Sequence, residues 1–129
     1  MAEKKRILLV DDEPDFVSVV RVMLEREGYE VDTAYSGKDG LAKIKADPPD
    51  AVVLDVMMPD KDGYTVCKEL KADTQLSQIP VLLLTAVVSH LPTTRYPQQR
   101  GLETEADDYV DKPVEPQVLV RRIENLLSR

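Results

Sequence analysis

The sequence has little cysteine, a deficit of basic charge and no long apolar run, and each shortage excludes a class of protein. Its one cysteine, Cys67, cannot form an internal disulfide, so we expect a reducing, cytoplasmic setting. The apolar run after the basic opening residues is far too short for a signal peptide or a membrane span. With 24 acidic against 17 basic residues, the net charge of -7 disfavours direct binding to nucleic acid. The acidic clusters favour cations as ligands instead.

A repeated strand–helix pattern organises the chain, and 129 residues suffice for one domain, which we predict over residues 1–129. Four short apolar or β-branched runs, RILLV, YEVDTA, AVVLD and VLLLT, alternate with stretches of helical period. A weaker fifth run, DYVD, precedes the last of these helical stretches. The periodicity predicts a helix that begins at Pro14 and stops at Gly28, and further helices over residues 37–45, 64–71 and 116–128. The runs ILLV, AVVL and VLLL are apolar throughout, which is typical of strands covered on both faces. We therefore predict a doubly wound α/β domain with a parallel sheet.

Residues 87–106 do not fit this pattern. The segment VVSHLPTTRYPQQRGLETEA contains Pro92 and Pro97 and lacks a clean apolar stripe. We expect an irregular structure here, where a fourth helix would otherwise lie.

Reactive side chains stand where the predicted strands end. Asp11 and Asp12 follow the first strand, Asp55 the third, Thr85 the fourth and Lys112 the fifth. Ligands of an open parallel sheet bind in the crevice at the carboxyl ends of its strands. The sequence therefore predicts one site that brings together three carboxylates, a hydroxyl and an ammonium.

The three carboxylates predict a magnesium site. Carboxylates this close repel one another, and a divalent cation removes that conflict. Mg²⁺ takes oxygen ligands, accepts one or two carboxylates, keeps several waters and leaves room for phosphate oxygens. We expect Asp12 and Asp55 to bind the ion directly and Asp11 to bind through water.

Asp55 itself is a candidate phosphoryl acceptor. A carboxylate can accept a phosphoryl group as an acyl phosphate, provided that the charge on the moving group is neutralised. The metal, Lys112 and Thr85 would supply positive charge and a hydrogen-bond donor around the three phosphoryl oxygens.

Four strings in order, LLVDDEPD, VVLDVMMPDKDGY, LLLTA and DDYVDKP, resemble the receiver domain of two-component response regulators, and the likeness covers essentially the whole chain. The resemblance implies a five-stranded parallel sheet of flavodoxin-like order 2-1-3-4-5, with helices on both faces. It implies signal transduction in which Asp55 accepts a phosphoryl group from a histidine kinase in a magnesium-dependent reaction. No enzymatic activity is implied beyond the domain's own phosphorylation and dephosphorylation.

The resemblance also assigns roles to single residues. The implied magnesium ligands are Asp11, Asp12, Asp55 and the backbone carbonyl of Met57. On phosphorylation, the hydroxyl of Thr85 moves toward the phosphoryl group and the ring of Tyr109 rotates inward behind it. The face built from helix 4, strand 5 and helix 5 of the family then changes its affinity for partners. The Lys112–Pro113 bond is expected to be cis.

The partners implied are an upstream histidine kinase or phosphotransfer protein and a downstream protein or output domain. No nucleic acid or membrane is expected to bind this chain directly. The chain would be a monomer or a phosphorylation-dependent dimer.

Two departures from the family pattern yield hypotheses. Lys112 follows Thr85 by 27 residues, several more than is typical, and Glu105 replaces the usual glycine. The extended segment would reshape the signalling face and select the partner, with simple loop-length variation as the alternative. Separately, the resemblance places Met57 and Val87 at the two positions that flank the path of the hydrolytic water in receivers. Neither side chain can orient a water by hydrogen bonding, so we predict a fairly long-lived acyl phosphate.

The same residues also allow other interpretations. Asp11 and Asp12 could cap the following helix, Thr85 could simply continue a strand, and Lys112 could be a surface charge. A phosphatase of the haloacid dehalogenase type would also place an aspartate after a strand, but it needs a second acid where Met57 stands. A receiver-like binding module that is never phosphorylated is the other alternative.

Overall fold

The chain forms a parallel sheet covered by helices on both faces, as described by a computed structural model for residues 4–86 and 106–128. The strands are β1 (Arg6–Val10), β2 (Glu30–Ala34), β3 (Ala51–Asp55), β4 (Val81–Ala86) and β5 (Asp108–Lys112). Their order is β2-β1-β3-β4-β5, and every neighbouring pair is parallel. The doubly wound α/β fold and its strand order are therefore confirmed.

Four helices lie in these two described ranges. They are α1 (Pro14–Arg26), α2 (Gly37–Ala46), α3 (Gly63–Ala72) and the C-terminal helix (Pro116–Leu127). Each agrees with its predicted range to within one or two residues. The irregular helix 4 region falls on residues 87–105, outside the described residues, so that prediction is not tested.

The helix boundaries follow from local chemistry. Pro14 occupies the first turn of α1, where its missing N–H costs no helical hydrogen bond. Gly28 lies beyond the end of α1 with φ of 97°, a conformation that glycine adopts without steric penalty. Asp62 caps α3 by accepting a hydrogen bond from the backbone N–H of Thr65 at 2.8 Å. This cap fixes the start of α3 next to the end of β3.

Two hydrophobic cores lie on the two faces of the sheet, because alternate residues of each strand point to opposite sides. One core contains side chains from α2 and α3, including Ile44 and Leu70, and the fully buried Cys67 packs there as a small hydrophobe. The other contains side chains from α1 and the C-terminal helix, including Val20 and Ile123. All five residues of β3 are buried, which agrees with a central strand covered on both faces.

Three of the site residues lie at the ends of strands, and Asp11 and Asp12 directly follow β1, so the predicted strand ends are correct to within one residue. Asp55 is the last residue of β3, Thr85 is the second-last of β4 and Lys112 is the last of β5. The ladder continues past the apolar runs, since the N–H of Val56 still donates to the carbonyl of Leu84 at 3.0 Å. These side chains therefore start from hydrogen-bonded backbone at the carboxyl edge of the sheet.

Candidate functional site

Three carboxylates meet at the carboxyl edge of the sheet. Asp11 follows β1 and is 2% exposed, Asp55 ends β3 and is 3% exposed, and Asp12 is exposed. One oxygen of each carboxylate lies within 4.8 Å of the other two. The predicted convergence of these three residues is therefore confirmed.

Asp55 is held in an environment that disfavours its charge. Burial raises the pKa of its carboxyl group to about 6, and the neighbouring charges of Asp11 and Asp12 add to that rise. The backbone N–H of Met57, which donates to Asp55 Oδ1 at 3.0 Å, and the ammonium of Lys112 act in the opposite direction. Asp55 is therefore still ionised at neutral pH, but at an energetic cost that a bound cation would relieve.

Lys112 reaches the carboxylates from β5. Its Nζ lies 3.0 Å from Asp11 Oδ2 and 3.6 Å from Asp55 Oδ2, and it also pairs with Glu13 and stands 5.2 Å above the ring of Phe16. Burial works against the ammonium, but the hydrogen bonds to Glu13 and Asp11 outweigh it and raise the pKa of Lys112. Lys112 is thus a fully charged part of the site and not a surface charge.

Glu13 and Phe16 were missed by the sequence analysis. Glu13 directly follows Asp11 and Asp12, so the sequence does show that it lies near the acidic pair. Its ion pair with Lys112 joins positions 99 residues apart, and no local pattern predicts that contact. Phe16 fits the apolar stripe of α1 equally well, so periodicity alone could not separate packing from a contact with the ammonium.

The loop from β3 to α3 is tied down at two points. The carboxylate of Asp60 accepts from the backbone N–H groups of Gly37 and Lys38, at 3.1 and 2.8 Å, at the beginning of α2. Gly63 packs against the end of β3, where an added Cβ would stand 2.5 Å from the carbonyl oxygen of Asp55. The loop that carries Met57 is therefore held from both sides.

Thr85 stands on β4, the strand next to the one that carries Asp55. The register pairs Asp55 with Leu84, so Thr85 lies one residue further toward the carboxyl edge on the neighbouring strand. It is 4% exposed, and its Oγ1 donates to Asp111 Oδ1 at 2.6 Å. Asp111 was not singled out from the sequence, because a charged residue near the end of an edge strand is ordinary there.

Tyr109 and Pro113 complete the predicted set. Tyr109 is half-buried on β5 and packs against the core that α2 and α3 cover. The Lys112–Pro113 peptide bond is cis, as expected. The structure thus places Tyr109 on the strand next to Thr85, and its inward rotation stays a prediction.

The helix-capping alternative for the acidic pair receives partial support. Asp11 Oδ1 accepts from the backbone N–H of Glu13 at 3.0 Å, immediately before α1. The N-cap residue itself is Glu13, however, and its side chain makes no capping hydrogen bond. Asp11 also has its second oxygen on Lys112, so it both orders this turn and belongs to the site.

The residues present suit a magnesium ion. All three side chains offer hard oxygen ligands, and a bound cation would offset both the burial that raises the pKa of Asp55 and the repulsion from Asp11 and Asp12. Within residues 4–86 and 106–128, Asp11, Asp12 and Asp55 form the one group of at least three acidic, histidine or cysteine side chains that lie close enough together to hold a metal ion. The backbone of Met57 lies beside it, with its N–H on Asp55 and its side chain 64% exposed.

Comparison with known proteins identifies the family. Residues 7–124 match the family described as the response regulator receiver domain. The chain is 42% identical over 125 residues to the alkaline phosphatase synthesis transcriptional regulatory protein PhoP of Bacillus subtilis, an alignment that covers 97% of this chain and 49% of PhoP. The chain belongs to the response regulator receiver domain family.

Solved structures agree with this assignment. The fold matches the signal receiver domain of a signal transduction histidine kinase from Syntrophus aciditrophicus with a TM-score of 0.85 and 35% identity, covering 96% of this chain and 90% of that one. It matches a CheY-like response regulator receiver domain protein from Methanospirillum hungatei with a TM-score of 0.84 and 30% identity, covering 98% and 95%. The chain spans about half the length of curated relatives such as PhoP.

The chain is therefore a receiver domain of two-component signal transduction. Receiver domains generally bind Mg²⁺ in an acidic pocket and interact with histidine kinases and output domains. Within the described ranges, no helix combines the length and the apolar character needed to cross a membrane.

Proposed function

We propose that this receiver domain accepts a phosphoryl group on Asp55, with Mg²⁺, from the phosphohistidine of a histidine kinase or phosphotransfer protein. The observation that carries the proposal is the position of Asp55: a buried carboxylate at the carboxyl edge of the sheet, 3.6 Å from the ammonium of Lys112 and within 4.8 Å of Asp11 and Asp12. A purely structural carboxylate would gain nothing from two like-charged neighbours.

Asp55 has the properties of an aligned nucleophile. With a pKa of about 6, raised by burial, the carboxylate is ionised at neutral pH and poorly stabilised by its surroundings. The backbone N–H of Met57 holds Oδ1 at 3.0 Å and so fixes the direction of the carboxylate. In the transfer, the N–P bond of the phosphohistidine breaks, an O–P bond to Asp55 forms, and the leaving imidazole takes up a proton.

The metal would be held by Asp11, Asp12, Asp55 and the backbone carbonyl of Met57. When bound, Mg²⁺ supplies positive charge to the phosphoryl oxygens in the transition state. Asp60 and Gly63 support this arrangement from outside the ligand set, because both fix the loop that carries Met57.

Lys112 would stabilise the negative charge that the phosphoryl group brings to Asp55. Before transfer its ammonium is shared among Asp11, Glu13 and Asp55. A phosphoryl group on Asp55 adds negative charge next to Nζ, so Lys112 stabilises the product by an ion pair with a phosphoryl oxygen. The hydroxyl of Thr85, on the neighbouring strand, would be the hydrogen-bond donor to another phosphoryl oxygen.

Phosphorylation then changes what binds to the domain. Thr85 and Tyr109 couple the phosphoryl group to the face formed by the helix 4 region, β5 and the C-terminal helix, and that face binds a downstream protein or an output domain. PhoP is named as a transcriptional regulatory protein, so an output domain that controls transcription is one candidate. The extended segment, residues 87–106, would select the partner.

The remaining properties follow the family. The domain acts in the cytoplasm, as response regulators typically do, and as a monomer or a phosphorylation-dependent dimer. It catalyses only its own phosphorylation and dephosphorylation and has no activity on other substrates.

Intact-mass spectrometry tests the proposal. The protein is incubated with acetyl phosphate, with Mg²⁺ or with EDTA, beside Asp55→Asn and the matched control Asp15→Asn, which removes an exposed carboxylate from the first turn of α1. The expected result is one added phosphoryl group in the wild type and in Asp15→Asn, only with Mg²⁺, and none in Asp55→Asn. An unmodified wild type that still binds Mg²⁺ would favour a binding module that is never phosphorylated.

A further inference from the structure

The hydroxyl of Thr85 is already engaged in this structure. Its Oγ1 donates to Asp111 Oδ1 at 2.6 Å, whereas its contact to the carbonyl of Val110 is 3.5 Å long. A hydrogen bond to a charged carboxylate at this length is among the stronger kinds that a neutral hydroxyl makes. The resting partner of Thr85 is therefore Asp111.

The sheet fixes this pair. Thr85 and Asp111 face each other directly in the register between β4 and β5, so their side chains lie on the same face of the sheet. Lys112, the next residue, points to the opposite face and reaches Asp11 and Asp55. Two consecutive residues of β5 thus contact the two sides of the phosphoacceptor site.

A hydroxyl group has one proton to donate. Thr85 can give it to Asp111 or to a phosphoryl oxygen on Asp55, but it cannot make two full hydrogen bonds at once. We infer that Asp111 is a positioning residue that competes with the phosphoryl group for the Thr85 proton and so biases the domain toward its resting conformation. This inference rests on the proposed function, because it assumes that a phosphoryl group forms on Asp55.

The competition has a defined direction. Removing the Asp111 carboxylate leaves Thr85 with the long contact to Val110, so the hydroxyl becomes available to the phosphoryl group at lower cost. A phosphoryl analogue should then bind more tightly. The electrostatic alternative is that Asp111 merely repels the analogue through its charge, without acting through Thr85.

A double-mutant cycle distinguishes competition for the Thr85 proton from simple charge repulsion by Asp111. The apparent affinity for beryllofluoride, an analogue of the aspartyl phosphate, is measured with Mg²⁺ by fluorine NMR for the wild type, Asp111→Ala, Thr85→Ala and the double variant. We expect Asp111→Ala to tighten binding about three- to tenfold in the wild-type background and to change it less than about twofold in the Thr85→Ala background. Equal tightening in both backgrounds, no change, or weaker binding in Asp111→Ala would overturn the inference.

Two further measurements keep the result interpretable. Asp111→Asn keeps a carbonyl acceptor without the charge, so we expect an intermediate affinity, and it serves in the cycle if Asp111→Ala does not fold. Thermal unfolding of each variant reports its folding separately from analogue binding. If the wild type itself binds no beryllofluoride with Mg²⁺, the proposed function fails; if it binds and the cycle is additive, only the role of Asp111 fails.

Discussion

The ammonium of Lys112 lies 3.0 Å from Asp11 Oδ2, so the last residue of β5 contacts a carboxylate 101 positions earlier in the chain. Two strands, β3 and β4, separate β1 from β5 in the sheet, and this ion pair spans them across the carboxyl edge. Asp55 lies beneath that span, on β3. The proposed phosphoacceptor site is therefore bounded by strands that are distant in the chain, and it exists only in the folded protein.

Asp55→Asn should stabilise the metal-free protein at neutral pH. The folded-state pKa of about 6 lies above the ordinary value of 3.8, so between these values the folded state binds more protons than the unfolded state. The free energy of unfolding therefore falls as pH rises through this window. Above pH 6, where Asp55 is ionised in the folded state, the loss of stability is complete. We expect the variant to exceed the wild type by up to about 3 kcal/mol at pH 7.5, and by much less at pH 4.5.

Urea unfolding in EDTA at both pH values measures this difference, with Glu27→Gln as the control for loss of an exposed carboxylate. Saturating Mg²⁺ should reduce or reverse the difference, because the ion balances the charge that the variant lacks. An Asp55→Asn protein that is less stable than the wild type at pH 7.5 in EDTA would contradict the assigned environment.

Asp60→Ala should weaken magnesium binding although Asp60 is not a proposed ligand. The substitution removes both hydrogen bonds to the start of α2, which frees the loop that carries the Met57 carbonyl. We expect a loss of about tenfold in Mg²⁺ affinity, by isothermal titration calorimetry. Asp73→Ala is the control, since Asp73 also accepts a backbone hydrogen bond, from Gln75 at 2.8 Å, but at the far end of α3. Equal losses in the two variants would show a general effect on stability.

Gly63→Ala should damage the site through backbone displacement. Its Cβ would stand 2.5 Å from the carbonyl oxygen of Asp55 and 2.8 Å from the Cα of Val56, and a backbone neighbour cannot move aside cheaply. We expect a loss of about 1–3 kcal/mol in unfolding free energy and weaker Mg²⁺ binding.

Gly28→Ala is the matched control for Gly63→Ala. The φ of 97° at Gly28 penalises any side chain by about 1 kcal/mol, but an added Cβ there meets nothing within 4 Å. It should lower stability and leave Mg²⁺ affinity unchanged. A Gly63→Ala protein with normal Mg²⁺ affinity would refute the proposed displacement of Asp55.

Met57→Asn should shorten the lifetime of the acyl phosphate. The Met57 side chain is 64% exposed beside Asp55 and has no group that can orient a water for attack on phosphorus. An asparagine can hydrogen-bond such a water, so we expect dephosphorylation to accelerate about tenfold. Loss of the added mass over time after removal of the phosphodonor gives the rate, and Met57→Leu should match the wild type. Val87, the second apolar position in this prediction, lies outside the described residues.

The fold and the main site residues could be predicted because both depend on local pattern. Apolar runs that alternate with helical periods define a parallel α/β sheet, and its strand ends necessarily meet at one edge, which brings Asp11, Asp55, Thr85 and Lys112 together. The predicted strand bounds agree with the structure to within one residue, because apolar and β-branched runs mark strands directly in the sequence.

The supporting contacts could not be predicted in the same way. Asp60 binds backbone groups 22 and 23 residues away, and Asp111 meets Thr85 only through the register of two strands that are distant in the chain. An exposed aspartate in a loop or near the end of a strand is unremarkable in sequence. Its partner becomes visible only once the elements are docked.

Borohydride trapping locates the acyl phosphate to a single residue, because the reagent reduces a phosphorylated aspartate to homoserine. The protein is phosphorylated with acetyl phosphate and Mg²⁺, reduced, digested and sequenced by tandem mass spectrometry. Homoserine at position 55 alone is the expected result, and its absence when Mg²⁺ is replaced by EDTA is the control. Homoserine at position 11 or 12, or a mass gain with no homoserine at position 55, would contradict the assignment of Asp55 as the phosphoryl acceptor.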